Sequence, residues 1–141
     1  TAAEPTYMVS ETLTRPVPGE VMTEFSDTPV YSETMRDYRV HAGTDYTAAH
    51  GETVHACANG IVKETHTDML RGNMIVIEHG DYEVRYCGLG ETFLVHEGDV
   101  VTAGQDIGSV TAAPFESALD SHLHIEVTRN GEPVDPESVF G

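Results

Sequence analysis

The chain has 141 residues, of which 24 are acidic and seven are basic, so its formal net charge at pH 7 is −17. This length is sufficient for one domain with its own apolar core. A surface of this charge repels nucleic acid and anionic lipid, so we expect neither as a binding partner. The sequence also contains no apolar run long enough to cross a bilayer.

The first part of the chain has weak periodicity. Residues 1–16 are predicted to be an extended N-terminal lead-in, and residues 17–141 are predicted to form the domain. Pro16 and Pro18 disfavour a central strand at this boundary. Residues 32–38 have the composition for one or two helical turns. Because the chain begins at Thr1 and not at Met, we expect that an N-terminal membrane anchor has been removed from an extracytoplasmic protein.

From residue 38 onward, short runs with alternating apolar residues are separated by Gly, Asn or Asp, a pattern typical of strands. It predicts an all-β, mostly antiparallel fold with one continuous core. Asn59-Gly60 and Gly80-Asp81 are the predicted hairpin turns. The acidic loop 112–120 is either one wall of a cleft or a plain surface loop. The predicted strands are residues 54–57, 60–65, 73–79, 83–89, 106–111 and 121–128.

The two cysteines, Cys57 and Cys87, both fall in predicted strands. They either form one disulfide, as extracytoplasmic proteins often do, or pack as two buried thiols, which is the interpretation we favour. Several histidines lack partners at a useful spacing and are predicted to lie on the surface or in turns: His50, His55, His66, His79 and His96.

A split set of potential zinc ligands carries the strongest functional signal. His41 and Asp45 lie early in the chain, and His122-Leu-His124 lies near its end. Alternate residues of a strand share a face, so the last two imidazoles point the same way. We predict zinc ligation by His41, Asp45 and His124, with His122 beside the metal as a proton handler, an open site of three protein ligands plus water. Glu126 shares this face and either orients an imidazole or is simply exposed.

At these residues the chain resembles the LytM/lysostaphin-type zinc peptidases, with the motifs in the order of that family. The resemblance runs from about residue 17 to residue 136. It implies a two-layer antiparallel β-sheet fold of the barrel-sandwich kind, one zinc ion per chain in a groove, and cleavage of peptide cross-links in peptidoglycan. The matching segments are residues 41–45, 54–62, 76–80, 98–108 and 122–127.

One position departs from the family pattern. Those peptidases usually carry Tyr-x-His-Leu on a middle strand, and the histidine is their second catalytic imidazole. Here the segment is Tyr86-Cys87-Gly88-Leu89, with glycine in the place of the histidine. Loss of such a group commonly lowers a rate by ~10²–10³. Cys87 is expected to face the other side of the strand and therefore not to compensate.

A narrower resemblance accords with this departure. Residues 25–41 are similar to the SpoIIQ branch of the family, membrane-anchored sporulation proteins of the space between forespore and mother cell. The resemblance implies a domain with an eroded catalytic site that docks onto a membrane-anchored partner of the SpoIIIAH kind. Two functions follow from the sequence: a zinc-bearing docking module with weak or absent catalysis, and an active zinc endopeptidase on peptidoglycan.

Overall fold

The computed structural model describes residues 6–140, which are mostly antiparallel β-structure with very little helix. The elements in chain order are β1 (Val21–Thr23), β2 (Ser26–Ser32), β3 (Asp37–His41), β4 (Thr44–Thr47), β5 (Thr53–His55), β6 (Gly60–Asp68), β7 (Gly72–His79), β8 (Tyr82–Leu89), β9 (Val100–Val101), β10 (Asp106–Ser109), a 3-10 helix (Pro114–Glu116), β11 (His122–Arg129), β12 (Glu132–Val134) and α1 (Pro136–Val139).

Eight strands form the main sheet, in the order β1-β4-β11-β8-β7-β6-β9, with β12 paired to β11. Two smaller antiparallel pairs, β5 with β10 and β2 with β3, lie outside it. The sequence prediction of an all-β, mostly antiparallel fold is confirmed, and each of the six predicted strands corresponds to an observed one. The weakly periodic region before residue 38 also contains strands, β1 and β2, which the sequence pattern did not indicate.

The two faces of the main sheet have different roles. On β11, Leu123, Ile125 and Val127 point into the apolar core and are fully buried. Because side chains alternate along a strand, His124 and its neighbours two residues away point to the opposite face. The pair β5–β10 contributes apolar residues to the same core, including the fully buried Ile107. Thus one face of the sheet holds the core, and the other is available for a polar site.

The hairpin predictions are partly correct. Gly80-Asp81 is the two-residue turn between β7 and β8, with Gly80 at a φ of 66°. Asn59-Gly60 is not a hairpin turn, because β5 pairs with β10 whereas β6 pairs with β7 and β9. Glycine is needed at position 60 for a different reason: a Cβ there would lie 2.1 Å from the carbonyl oxygen of Glu78.

Residues 32–38 do not form the helical turns that the sequence predicted. They form the tip of the β2–β3 hairpin, in which Tyr31 pairs with Tyr38 and the two rings meet edge-on with centroids 5.4 Å apart. The turn is closed by Ser32, whose carbonyl oxygen accepts from the backbone N–H of Arg36 at 2.8 Å. Cross-strand aromatic contact and this local turn outweigh the weak helical propensity of the segment.

The described part of the lead-in packs against the domain. Leu13 is 5% exposed and belongs to the core, and it forms a parallel bridge with Phe140. The hydroxyl of Tyr7 accepts from the backbone N–H of Gly80 at 2.8 Å. The boundary at residue 17 stays a prediction. Among residues 6–140, no helix has the length and apolar character needed to cross a membrane.

Candidate metal centre

The polar face of the main sheet brings the predicted metal ligands together. Strands β4 and β11 pair with Asp45 directly opposite His124, and Asp45 Oδ1 lies 2.7 Å from His124 Nδ1. His41, the last residue of β3, approaches from the neighbouring hairpin and places Nε2 3.4 Å from Asp45 Oδ2. His122 Nε2 lies 3.7 Å from Asp45 Oδ1. All four side chains are buried.

A fifth residue, Glu116, lies at the centre of this cluster. It ends the 3-10 helix in the loop between β10 and β11 and is only 6% exposed. Its carboxylate lies 2.8 Å from His41 Nε2, 2.9 Å from His124 Nδ1 and 3.4 Å from His122 Nε2. Sequence reasoning identified the loop as a possible wall of a cleft but did not assign this residue to the site.

In each imidazole, the ring nitrogen that points away from the centre of the cluster donates a hydrogen bond, and this bond orients the ring. His41 Nδ1 donates to the carbonyl oxygen of Glu24 at 2.9 Å, and His122 Nδ1 donates to that of Asp120 at 2.7 Å. His124 donates from Nε2 to Glu126 Oε2 at 2.9 Å. Acceptors of this kind fix the ring and leave the other nitrogen for a metal or a proton.

Glu126 is buried, with 5% of its surface exposed, which excludes one of the two interpretations of this residue, a simply exposed strand position. Its carboxylate accepts from Arg71 Nε at 2.8 Å as well as from His124, and Arg85 lies 3.7 Å away. Burial raises the pKa of Glu126, but the bonds from His124 and Arg71 outweigh that effect and lower the pKa to about 2. Glu126 is therefore an anionic support for His124.

Charge in the cluster favours a cation at its centre. Burial lowers the pKa of His41, but the nearby carboxylates of Asp45 and Glu116 outweigh it and raise that pKa to about 9. For His122 and His124, too, burial lowers the pKa, and the neighbouring carboxylates outweigh burial and raise it. Burial likewise opposes ionisation of Glu116, yet bonds from the three histidines hold its pKa well below its ordinary value. Protons on the imidazoles or a metal ion balance these carboxylates.

The residues present fit a zinc ion. Within residues 6–140, the buried Asp45 Oδ2 has no hydrogen-bond donor, so it has a lone pair available for a cation. One ligand atom from each of His41, Asp45, Glu116 and His124 lies within 4.8 Å of the others. In a tetrahedral site with bonds of about 2.0–2.1 Å, ligand atoms lie about 3.3 Å apart. The N···O separations run from 2.7 to 3.4 Å, so the longest matches that spacing and the closer pairs would have to move apart around an ion.

Gly88 occupies a bulge of β8, where Asn73 pairs with Leu89 and Met74 pairs with Cys87. Its φ of 74° is one that residues with a side chain rarely adopt. A Cβ built on Gly88 would lie 2.7 Å from the backbone nitrogen of Ala113. The position is therefore adapted to glycine, and an imidazole cannot be introduced there without moving the loop that carries Glu116.

The prediction that Cys87 faces away from the site is wrong. Cys87 pairs directly with His124, and residues opposite each other on adjacent strands share a face. Its ligand atom lies within 4.8 Å of those of His124 and Glu126. The expected alternation of side chains between the two faces fails here, because the bulge at Gly88 interrupts it. Burial raises the pKa of the Cys87 thiol to about 12, so it is a poor nucleophile or metal ligand.

The structure also shows where the two cysteines and His79 lie. Cys57 and Cys87 are free, buried thiols, and they pack in separate apolar clusters. His79 was predicted to lie on the surface or in a turn, and this is wrong: it is 2% exposed. Its Nδ1 donates to the carbonyl oxygen of Asn59 at 3.1 Å, and its Nε2 accepts from the hydroxyl of Tyr86 at 2.7 Å.

A small groove adjoins the cluster, between the β2–β3 hairpin and the loop of Glu116. Its volume is about 140 Å³, below the roughly 300–1,000 Å³ usual for ligand pockets. Residues on its walls include Tyr31, Thr34, His41 and Phe115. Access to the cluster is thus narrow while the loop lies in this position.

Comparison with known proteins identifies the family and the fold of the chain. Residues 39–136 match the model of Peptidase family M23. The chain is 35% identical over 96 residues to the peptidoglycan DD-endopeptidase ShyA of Vibrio cholerae, a match that covers 67% of the chain and 22% of ShyA. It is also 35% identical over 106 residues to the DD-carboxypeptidase/endopeptidase Mpg of Neisseria meningitidis, covering 74% of the chain and 24% of Mpg. The chain therefore spans less than a quarter of the length of these relatives.

Solved structures have the same architecture. A zinc-containing peptidase from Vibrio cholerae superposes with a TM-score of 0.76 at 28% identity, over 89% of this chain and 39% of that one. The SpoIIQ–SpoIIIAH pore-forming complex gives a TM-score of 0.79 over 92% of this chain and 91% of that one, but its 22% identity shows the fold alone. Because the family model covers most of the chain and the whole buried cluster, the protein belongs to peptidase family M23.

Proposed function

We propose that this domain binds one zinc ion in the bacterial cell envelope and hydrolyses peptidoglycan weakly or not at all. The observation that carries the proposal is a buried cluster of the three predicted ligand residues, together with a glycine at the position where the family resemblance implies a catalytic imidazole. His41, Asp45 and His124 meet with ligand-like spacing, whereas Gly88 stands where the family resemblance expects an imidazole. Metal can be retained for stability when turnover is not.

The proposed ligands are His41 Nε2, Asp45 and His124 Nδ1, the inner atoms of the cluster. Zinc bound there would polarise a carbonyl oxygen and lower the pKa of bound water. His122 is the one further imidazole of the cluster, and its bond to the carbonyl oxygen of Asp120 orients Nε2 towards the centre to hold or move a proton. Glu126 keeps the His124 ring in place through its Nε2.

A single proton-handling imidazole explains the low activity that we propose. Peptide hydrolysis needs a group that transfers protons and another that stabilises the developing oxyanion. His122 can serve one of these roles, and glycine at position 88 can serve neither. The thiol of Cys87, on the same face, is held neutral by burial. We expect a loss of ~10²–10³ in rate relative to a domain with both imidazoles.

Docking onto a protein is the task that we propose in place of hydrolysis. The β2–β3 hairpin exposes several large apolar side chains: Val30, Tyr31, Met35, Tyr38 and Val40. Exposed apolar groups of this kind mark interaction surfaces. The net charge of −17 favours a partner with a basic face. We base the proposal of a membrane-anchored partner of the SpoIIIAH kind, and of a full-length protein anchored outside the cytoplasm, on the resemblance of residues 25–41 to the SpoIIQ branch.

The second candidate is an active zinc endopeptidase that cleaves peptide cross-links of peptidoglycan. The 35% identity to the peptidoglycan DD-endopeptidase ShyA favours it, and the range matched by the family model includes the cluster. In that case His122 alone, or a water molecule in place of the missing imidazole, would support turnover.

The deciding experiment measures metal content and peptidoglycan cleavage on the same purified sample, with His122→Ala as the matched variant. We expect one zinc per chain in both proteins and no release of cleaved muropeptides above background. Muropeptide release that is lost in His122→Ala would contradict the docking proposal and establish the endopeptidase. Absence of zinc from both proteins would contradict the metal assignment.

Docking is tested separately by binding of a purified SpoIIIAH-type ectodomain, measured by calorimetry. Replacing Tyr31 and Tyr38 together by Ser removes the exposed aromatic pair without touching the cluster, and we expect it to weaken binding at least about tenfold. His50→Ala, an exposed position away from the hairpin, is the control. Equal binding by both variants would show that this hairpin is not the docking surface.

A further inference from the structure

Glu116 lies among the three residues that we propose as zinc ligands, with its carboxylate 2.8 Å from His41 Nε2 and 2.9 Å from His124 Nδ1. We infer that Glu116 is a fourth zinc ligand, supplied by the domain's own loop, which closes the site that His41, Asp45 and His124 would leave open. The inference rests on the zinc binding proposed above and adds a statement about its coordination: this chain holds the ion with four protein ligands. Sites with four protein ligands are structural, whereas catalytic zinc keeps one position for water.

The geometry supports ligation by Glu116 as strongly as by the residues that the sequence predicted. Its two carboxylate oxygens lie 2.8 Å from His41 Nε2 and 2.9 Å from His124 Nδ1, the inner nitrogens of both proposed histidine ligands. The four ligand atoms form one group within 4.8 Å, to which His122 does not belong. His122 Nε2 remains 3.4 Å from Glu116, beside the group.

Charge balance gives an independent argument. The four proposed ligands carry two negative charges, on Asp45 and Glu116, and both residues are buried. A buried charge is strongly unfavourable unless it is paired. Two carboxylates and two neutral imidazoles would neutralise a divalent cation, whereas Asp45 as the one anionic ligand would leave a net positive charge on the site.

The loop that carries Glu116 is held on both sides of the cluster. The backbone N–H of Phe115 donates to the carbonyl oxygen of Leu70 at 2.9 Å, in the turn between β6 and β7. The N–H of Ala118 donates to the hydroxyl of Thr34 at 2.9 Å, in the turn of the β2–β3 hairpin. The Phe115 ring also meets the His124 ring edge-on, with centroids 5.0 Å apart. These contacts fix the carboxylate over the sheet.

Gly88 allows the loop to take this path. The N–H of Thr111 donates to the carbonyl oxygen of Gly88 at 2.7 Å, so the loop runs directly against the bulge. A Cβ at position 88 would lie 2.7 Å from the nitrogen of Ala113 and 2.9 Å from the carbonyl carbon of Ala112. The glycine that removes an imidazole therefore also makes room for the carboxylate. The same glycine thus accounts both for the missing imidazole and for the position of the loop that closes the metal site.

Cobalt(II) substitution tests this coordination without depending on activity. The visible absorption of the cobalt-loaded domain reports its ligands, and added azide changes that absorption only where a water position is open. Cobalt and zinc affinities are measured by competition with a chelator for the unaltered protein, Glu116→Gln and Glu116→Ala. Glu33→Gln is the control, because it removes an exposed carboxylate from the adjoining groove and leaves the cluster intact. Thermal melting of the metal-free variants verifies that each is folded.

We expect azide to leave the spectra of the unaltered protein and of Glu33→Gln unchanged, and to change that of Glu116→Ala. Zinc affinity should fall at least about tenfold in both Glu116 variants, since even supporting partners of ligands contribute 10–100-fold. Equal affinity and an equal azide response in the unaltered protein and Glu116→Ala would overturn the inference while leaving the zinc proposal intact. Failure of the unaltered protein to bind cobalt or zinc would overturn both.

Discussion

His79, a buried histidine on the core face of the main sheet, differs in charge from the buried histidines of the cluster on the polar face. On the core face, His79 contacts a tyrosine hydroxyl and a backbone carbonyl, and burial lowers its pKa to about 4. On the polar face, ring nitrogens of His41 and His124 lie 2.7 to 3.4 Å from carboxylate oxygens, and the pKa values of both residues are raised. Burial is similar for His79 and for these histidines, so burial does not decide the protonation state.

The comparison shows that carboxylates distinguish a metal centre from a structural histidine. A neutral acceptor and donor satisfy His79 completely, which leaves no lone pair for a cation. Asp45 and Glu116 instead place negative charge at the inner nitrogens of three imidazoles. Replacements in the cluster on the polar face should therefore change metal binding, and replacements around His79 on the core face should change only stability.

Replacement of His124 by Ala should have the largest effect. His124 ligates through Nδ1 in our assignment and lies at the centre of the cluster, so we expect stoichiometric zinc to be lost. Zinc present at about 1,000 times its dissociation constant stabilises a protein by about 4 kcal/mol, and that zinc-dependent stabilisation should vanish. Elemental analysis and thermal melting with and without zinc measure both effects. His96→Ala, at a side chain that is 86% exposed, is the control; a variant of His124 with full zinc content would refute the ligand assignment.

Replacement of Glu126 by Gln should weaken zinc binding without abolishing it. Glu126 accepts the Nε2–H of His124; Gln keeps an acceptor oxygen but removes the negative charge, and mutation of such a supporting partner typically costs about 10–100-fold in metal affinity. Competition with a chelator measures the change, and Glu132→Gln, at an exposed position, controls for the lost charge. An unchanged affinity would mean that Glu126 serves only to pair with the arginines.

Replacement of Tyr86 by Phe should lower stability and leave zinc affinity unchanged. The Tyr86 hydroxyl accepts from the backbone N–H of Cys57 at 3.0 Å and donates to His79 at 2.7 Å. Its removal leaves two buried polar groups without a partner, so we expect a loss of about 1–3 kcal/mol in the free energy of unfolding by urea. Tyr38→Phe, on a residue that is 74% exposed, should change it by less than about 0.5 kcal/mol. A change in zinc affinity in Tyr86→Phe would show that the two faces are coupled.

The pH dependence of stability should contain a small contribution from His79. Its folded pKa of about 4 lies below the unfolded value of 6.5, so the unfolded chain binds the proton first. The stability contributed by neutral His79 is complete above about pH 6.5 and is lost as the pH falls towards 4, with about 2 kcal/mol lost at pH 5. The difference in unfolding free energy between the unaltered protein and His79→Gln should shrink by this amount from pH 7 to pH 5. A constant difference would mean that His79 is not held neutral.

Most of the fold was accessible from the sequence because the strands after residue 38 alternate apolar and polar residues against a single core. The strands of the β2–β3 hairpin were missed because their side chains are largely exposed and carry no such alternation. The sequence pattern also did not predict which strands pair with each other. Asn59-Gly60 has the composition of a tight turn, yet the glycine serves a close approach to Glu78 in the neighbouring strand.

Residues of the candidate site could be predicted from the sequence where they form short-range patterns. His41 and Asp45 are four residues apart, and His122 and His124 are two apart on one strand, so each pair is visible in the sequence. Glu116 has no spacing that marks it, because only the path of its loop over Gly88 brings it to the cluster. Equally, nothing local separates His79 from an exposed histidine, since its burial depends on the pairing of β7 and β8.

The most direct test of the account is a crystal structure of the zinc-loaded domain with anomalous scattering at the zinc edge. Our assignment predicts one ion bonded to His41 Nε2, Asp45, His124 Nδ1 and a carboxylate oxygen of Glu116, each at about 2.0–2.2 Å. An ion held by the first three residues and water, with Glu116 withdrawn from the centre, would contradict the closed site and restore an open, catalytic-type centre.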